Sequence, residues 1–226
     1  MKNKFLFGIS LGLVAFLPAC KKDNYKPPSS TLTGQVVYQG QPLGVRSNGV
    51  QLELWQSGFQ LFSKIPVYVS QDGKFSASLF DGDYKLTRLK GNGPWVDNTD
   101  TISVHVSGTT TVDVPVQPYF VIKTQTFQKS GSAVTATVKV DKVVSSATIE
   151  RVSFYIGGTT LVDANFKDGF DDKTGTALAD LSQNINLSIT PSAALVAKGY
   201  VYCRVGVKTS GVAEMAYSPV QKIALQ

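Results

Sequence analysis

From Thr31 onward, apolar residues recur at every second position in short runs separated by turn residues, and that alternation leaves the chain few folds to choose from. Val50, Leu52 and Leu54 alternate with Gln51, Glu53 and Trp55. Phe75, Ala77 and Leu79 alternate with Lys74, Ser76 and Ser78, and Ile102, Val104 and Val106 with Thr101, Ser103 and His105. Successive side chains of a strand point to opposite faces, so each run predicts a strand with one face in a core. Asp72-Gly73 and Asp81-Gly82 fall between runs, where hairpin turns need the positive φ that glycine adopts at little cost. The alternation resumes in Val134 to Val140, Val152 to Ile156, Ile185 to Ile189 and Val201 to Val207. The expected fold is all-β, two tandem β-sandwich domains over 31–117 and 118–226. Pro115 and Pro118 flank the end of the strand Val112-Val114-Val116 and mark the boundary. One short helix is expected near 191–197, with Thr190 capping it and Pro191 in its first turn.

The segment ahead of the strands predicts an address. Lys2 and Lys4 precede an apolar run from Phe5 to Leu17, 13 residues long. That is too short to cross a hydrocarbon core of roughly 30 Å as a helix, and it reads as an export signal over 1–19. Leu17-Pro18-Ala19-Cys20 resembles the lipobox of bacterial lipoproteins, with proline a departure from its commonest form. The resemblance implies cleavage before Cys20 and lipid on that cysteine. Residues 20–30 then form a polar, proline-rich tether, and Lys21-Lys22-Asp23 is similar to the signal that sends Bacteroidetes lipoproteins to the outer face of the outer membrane. Such signals often carry two acids and this one has only Asp23, so a lipid-anchored outer-membrane location exposed at the cell surface follows as the expectation, with a periplasm-facing one left open.

Without residues 1–19 the chain carries 20 basic and 16 acidic residues, a mild excess spread along its length rather than a stripe, so nucleic acid is not an expected partner. Once Cys20 is committed to lipid, Cys203 has no partner for a disulfide, and its parity with Val201 and Val205 predicts a buried, inert thiol. Packing alone must stabilise the fold.

Two resemblances add to this reading. Gly34-x-Val36, Gly40-x-Pro42-Leu43, Val50-x-Leu52, Asp72-Gly73-x-Phe75 and Gly82-x-Tyr84-x-Leu86 resemble the carboxypeptidase-regulatory-like, transthyretin-like domain, here with its first corner lengthened by Val45 to Gly49. The second sandwich is immunoglobulin-like in style, without the paired cysteines of antibody domains. Taken whole, the chain resembles an uncharacterised Bacteroidetes outer-membrane lipoprotein family of polysaccharide-utilisation loci. The residues that carry this match are Gly91-Asn92-Gly93-Pro94-Trp95, Pro118-Tyr119-Phe120 and Arg204-Val205-Gly206-Val207. The resemblance implies company with SusC/SusD-type proteins and polysaccharide at the cell surface. Fold and family do not fix an activity.

Aromatic residues carry the functional pull. Trp95 sits in a glycine- and proline-rich loop with Asn92, Asp97, Asn98 and Asp100, and Trp55 lies on the polar parity of its strand. An indole can stack on the apolar C–H face of a sugar while amides and carboxylates bind its hydroxyls. The competing reading is that Trp95 plugs the domain junction and that the long connection from Ser57 to Ile65 covers Trp55. Tyr200, Tyr202 and Arg204 share an outward parity and form a second candidate face. Asp163, Asp168 and Asp171, with Asn165 and Asp172, crowd one loop and are a weak calcium candidate whose spacing departs from the known calcium-loop pattern. Asp81 and Asp83 are a carboxylate pair better explained by a turn. His105 is the only histidine, which excludes a histidine-built metal site, and strand parity places it on an outer face. No catalytic residue and no cofactor is expected. The expectation is a non-enzymatic surface lipoprotein that binds or handles glycan, with a structural or protein-interaction module, a spacer or porin-complex subunit, as the alternative.

Overall fold

The computed structural model describes residues 26–58 and 62–226; the leader, Cys20 and the tether as far as Tyr25 lie outside the described residues. The chain forms two all-β sandwiches in tandem.

The first comprises β1 (Ser30–Tyr38), β2 (Gln41–Pro42), β3 (Gln51–Trp55), β4 (Lys64–Tyr68), β5 (Lys74–Leu79), β6 (Gly82–Arg88), β7 (Ile102–Val106), β8 (Thr109–Thr111) and β9 (Val114–Pro115). β1 is the axis of one sheet, pairing antiparallel with β5 and β2 and parallel with β8 and β9. The other sheet runs β4-β3-β6-β7. Leu32, Val36, Leu52, Leu54, Leu86 and Val106 meet between them, on the parity that the alternation predicts.

The second comprises β10 (Phe120–Ser130), β11 (Ala133–Lys142), β12 (Ile149–Gly157), β13 (Gly169–Thr174), a 3-10 turn (Gly175–Leu178), β14 (Ile185–Ile189), α1 (Ala193–Lys198), β15 (Tyr200–Thr209), β16 (Ala216–Tyr217) and β17 (Gln221–Ala224). Sheet β10-β11-β14 faces a sheet ordered β13-β12-β15, with β16 and β17 both on β15. Val138, Phe154, Ile156, Leu187, Cys203 and Val205 fill the space between. Burying each large aliphatic side chain contributes about 1.5–3 kcal/mol. Among the described residues Cys203 is a free, buried thiol, so this packing holds the sandwich. The helix starts two residues later than expected. Ser192 rather than Thr190 is its cap, its Oγ accepting from the Leu195 amide at 3.4 Å.

The two sandwiches are joined by a polar lock. The corner lengthened by Val45 to Gly49 reaches across to the C-terminal domain, where the Gly44 carbonyl accepts from the Tyr217 amide at 2.9 Å. A Cβ on Gly44 would stand 2.5 Å from the Tyr217 carbonyl oxygen, so only glycine permits this approach. Arg46 makes a two-pronged ion pair with Glu214, at 2.5 and 3.1 Å, and Gln71 donates to the Thr160 carbonyl at 3.0 Å. Ala216 packs into the core of the first domain. As a result β12 and β15 are covered on both faces. Tyr155, Val162, Met215 and Tyr217 form a separate apolar cluster on the face turned away from the sandwich core.

Candidate functional site

The outer face of sheet β4-β3-β6-β7 carries an aromatic groove. Antiparallel register places Lys64 opposite Trp55, Trp55 opposite Lys85 and Lys85 opposite Ser103, one straight row across four strands. The next row pairs Asp83 with His105. All sit on the polar parity of their strands, which points them away from the core. Phe62 leans over Trp55 from the connection ahead of β4, ring centroids 5.2 Å apart and planes tilted by 33°. Phe62 is 60% exposed and Trp55 half-buried. The two rings, with Asp83, Lys85, Ser103 and His105, bound a groove of about 590 Å³. Of the described residues in that connection, Phe62 lies against Trp55, which stays half-exposed.

Polar groups are already ordered around the rings. His105 Nδ1 donates to Asp83 Oδ1 at 2.7 Å, both side chains largely exposed. Lys64 donates to Glu53 at 2.6 Å on the neighbouring position of the same face. Asp81, by contrast, accepts from Ser30 Oγ. Asp81 and Asp83 thus serve different partners and do not form a carboxylate pair. The groove offers aromatic faces, a hydroxyl, an imidazole–carboxylate pair and an ammonium, the groups with which proteins hold a polyhydroxylated ring.

The other sequence-predicted residues lie elsewhere, and several do different work. Trp95 is 3% exposed and belongs to the first domain's core, so it has no face for a sugar. Its strand-like pairing with Pro118, and the bond from Val96 to the Gln117 carbonyl at 2.9 Å, fasten its loop to the domain linker. A Cβ on Gly93 would lie 2.2 Å from the indole, so the glycine lets the ring fold back over its own loop. Asn92 donates to the Gly49 carbonyl at 3.1 Å and accepts from the Gln51 amide at 2.5 Å, while Asp97 accepts from the Gly91 amide at 2.7 Å. These groups build the loop, and the reading of Trp95 as junction plug replaces that of a binding platform.

Arg204 does have outward parity, but that face is the domain junction, and the side chain is fully buried. It donates to the carbonyls of Ser218 (2.9 Å), Val162 (3.2 Å), Val45 (2.9 Å) and Gln71 (2.5 Å). Burial pulls its pKa down to about 10, which still leaves it charged at neutral pH. Tyr202 is half-buried beside the junction cluster. Tyr200 meets it edge-on at 5.7 Å, with the Lys222 ammonium 3.9 Å from the Tyr200 ring centroid. The three residues therefore do not form one open face.

The acidic loop does not converge on a cation. Asp163 is fully buried and caps its own turn, accepting from the amides of Asn165 (2.8 Å) and Phe166 (3.1 Å). Asp168 accepts from the Gly158 amide at 2.8 Å and Asp171 from the Ser188 amide at 2.9 Å. Among the described residues no cluster of three or more acidic, histidine or cysteine side chains is placed to hold a metal, and the calcium reading is withdrawn. Cys203 is buried, its thiol pushed up to about 12 by desolvation.

Phe62, Lys64, Lys85 and Ser103 escaped the sequence reading of this site. Their outward parity was visible for the strand residues, but which strand lies beside which is a property of register, and Phe62 belongs to a connection with no period.

Solved structures similar to this chain include DUF3823 family proteins of Bacteroidetes. A DUF3823 family protein from Bacteroides ovatus is 41% identical, covers 87% of this chain and 100% of its own, and superposes with a TM-score of 0.81. Another from Parabacteroides merdae is 38% identical over 88% of this chain and 100% of its own, with a TM-score of 0.80. A Bacteroides uniformis structure described as a "putative carbohydrate binding protein" shares the fold at 20% identity, covering 88% of this chain and 100% of its own, with a TM-score of 0.69. No curated protein matches the chain. Residues 30–117 match the model described as "Protein of unknown function (DUF3823) N-terminal domain", and residues 120–222 the one described as "Domain of unknown function (DUF3823_C)". The chain belongs to the DUF3823 family.

Proposed function

We propose that this chain binds glycan without transforming it, through the groove between Trp55 and Phe62. The observation that carries this reading is the half-open aromatic pair set among ordered polar groups on a rigid sheet. Sugar rings present apolar C–H faces that stack on such rings, while their hydroxyls bond to groups such as Asp83, His105 and Ser103. The Bacteroides uniformis structure of the same fold, described as a "putative carbohydrate binding protein", supports the same class of ligand.

A lipid on Cys20, exposure at the outer membrane surface and a place beside SusC/SusD-type proteins belong to the same proposal. They are supported by Leu17-Pro18-Ala19-Cys20, by Lys21-Lys22-Asp23 and by the resemblance of the chain to lipoproteins of polysaccharide-utilisation loci. The assignment of the two sandwiches as carboxypeptidase-regulatory-like and immunoglobulin-like rests on motif and style. Affinity electrophoresis against a panel of neutral and acidic polysaccharides, wild type beside Trp55→Ala, tests the binding. Retardation that Trp55→Ala abolishes is expected, and mobility unchanged by every polymer sinks the proposal.

A second reading, a spacer or porin-complex subunit, is favoured by Phe166 and Phe170, both exposed on the C-terminal domain. Pull-down of the intact lipoprotein distinguishes it. Recovery of the protein alone counts against that reading.

A further inference from the structure

The charges on the groove face are not evenly committed. Trp55 stands between two lysines in register, Lys64 on β4 and Lys85 on β6. Directly opposed residues of an antiparallel pair have Cβ atoms roughly 4.5–5.5 Å apart, so either four-carbon stem can bring its ammonium to the rim of the indole. Lys64 is held by Glu53 at 2.6 Å. Lys85 is exposed and, among the described residues, makes no ion pair. The two carboxylates of this face each hold a partner, Glu53 the Lys64 ammonium and Asp83 the His105 imidazole, which offsets the Asp83 charge only where its ring is protonated. Among the described residues the cation left without an ion pair beside the aromatic rings is Lys85, with a serine hydroxyl opposite it on β7 and the Asp83 carboxylate one row away.

Resting on the glycan-binding reading, we infer that the groove takes an acidic sugar, its ring on Trp55 and its anionic oxygens on Lys85. A carboxylate or sulfate on the ring accepts charge-assisted hydrogen bonds from the ammonium, which acts as a point charge and fits either group. Stacking alone would accept many sugars, and the lysine adds preference for the charged ones. The row Trp55–Lys85–Ser103 supplies, in order, an apolar face, a cation and a hydroxyl.

The experiment measures dissociation constants for a carboxylated polymer (polygalacturonate), a sulfated one (dextran sulfate) and neutral dextran and galactan. It compares wild type, Lys85→Gln, Trp55→Ala and a control, Lys129→Gln, which removes the same charge from the far domain. Thermal melts confirm that each variant folds. The expectation is that at least one acidic polymer binds and that Lys85→Gln weakens it about tenfold, the loss of one charge-assisted contact. Lys129→Gln is expected to leave binding unchanged. Selectivity between the two acidic polymers assigns the anion as carboxylate or sulfate. Equal weakening by Lys85→Gln and Lys129→Gln shows diffuse attraction to a basic protein and overturns the inference. Binding of neutral polymers alone, lost in Trp55→Ala, overturns the inference while leaving the glycan-binding reading standing. Binding of none overturns both.

Discussion

The Arg204 guanidinium lies over the Tyr217 ring, 4.4 Å from its centroid, and reaches from β15 to the Val45 and Gln71 carbonyls of the other domain. One side chain thus occupies four carbonyls in two domains. Asp163 is buried close by, with one carboxylate oxygen lacking a hydrogen-bond partner, and its charge favours the buried cation. The arrangement fixes the groove's sheet relative to the C-terminal domain.

Arg204→Ala strips these carbonyls of their donor and leaves Asp163 uncompensated. A loss of about 3–5 kcal/mol is expected, the range for breaking a buried charged network. Because the contacts cross the junction, chemical denaturation followed by fluorescence and circular dichroism should split into two transitions. Arg204→Lys should recover little, since an ammonium cannot match the fork that serves four acceptors. A single transition of wild-type midpoint would show the lock to be unimportant.

The two tryptophans predict opposite behaviour. Trp95 is packed among core residues, whereas Trp55 meets solvent on one side. Acrylamide should quench one emission component strongly and the other weakly, and Trp55→Phe should leave only the shielded one. Trp95→Ala should cost about 3–5 kcal/mol, and Gly93→Ala about 1–3 kcal/mol through its clash with the indole. Trp55→Ala should change the melting midpoint little. Strong quenching of the Trp55→Phe protein would place Trp95 at the surface after all.

That contrast marks what the alternation could and could not disclose. Strand parity correctly separated Leu52 and Leu54 from Trp55, and Val104 and Val106 from His105, because burial on one face of a sheet imposes period two. It also placed Arg204 opposite Val205, and that placement was right. What parity cannot say is whether an outer face meets water or a second domain, and for β15 it meets the Val45 corner. The Gly-Asn-Gly-Pro-Trp loop looked like a candidate ligand-binding feature because an indole sits there among amides and carboxylates, whereas the inserted residues Val45 to Gly49 read only as a lengthened corner. Both are instead fasteners, Arg46 spent on the Glu214 carboxylate and Asn92 and Asp97 on backbone groups. As a binding site the groove was legible through Trp55, with Asp83 and the outward His105 noted separately, since Lys85 and Ser103 join it through cross-strand register.

Cys203 supplies a chemical clock for opening of the second core. With its thiol at about 12, the folded protein holds almost no thiolate at pH 8, against an ordinary thiol near 8.5 in the unfolded chain. In a Cys20→Ser protein, a thiol reagent at pH 8 should therefore react only on denaturation. The linkage has a definite sign. Above about pH 8.5 the unfolded chain releases the proton that the folded one keeps, so stability falls as pH climbs toward 12. Cys203→Val should show a shallower alkaline decline. Rapid labelling of native protein would contradict the burial.

Arg46 and Glu214 provide a second, weaker bond across the junction, and its size can be isolated. The pair is two-pronged, and the Glu214 carboxylate holds the Arg46 guanidinium above its ordinary range. The Arg46 side chain is 28% exposed, however, so water screens part of the attraction. A double-mutant cycle of Arg46→Met and Glu214→Gln should return a coupling of about 1 kcal/mol, falling as salt shortens the Debye length. Because the two residues belong to different sandwiches, the coupling should vanish when each domain is unfolded separately in the Arg204→Ala background. A coupling that persists there would mean that the corner at Gly44 and Val45 docks without its arginine, and that backbone pairing with Tyr217 is the main bond between the domains.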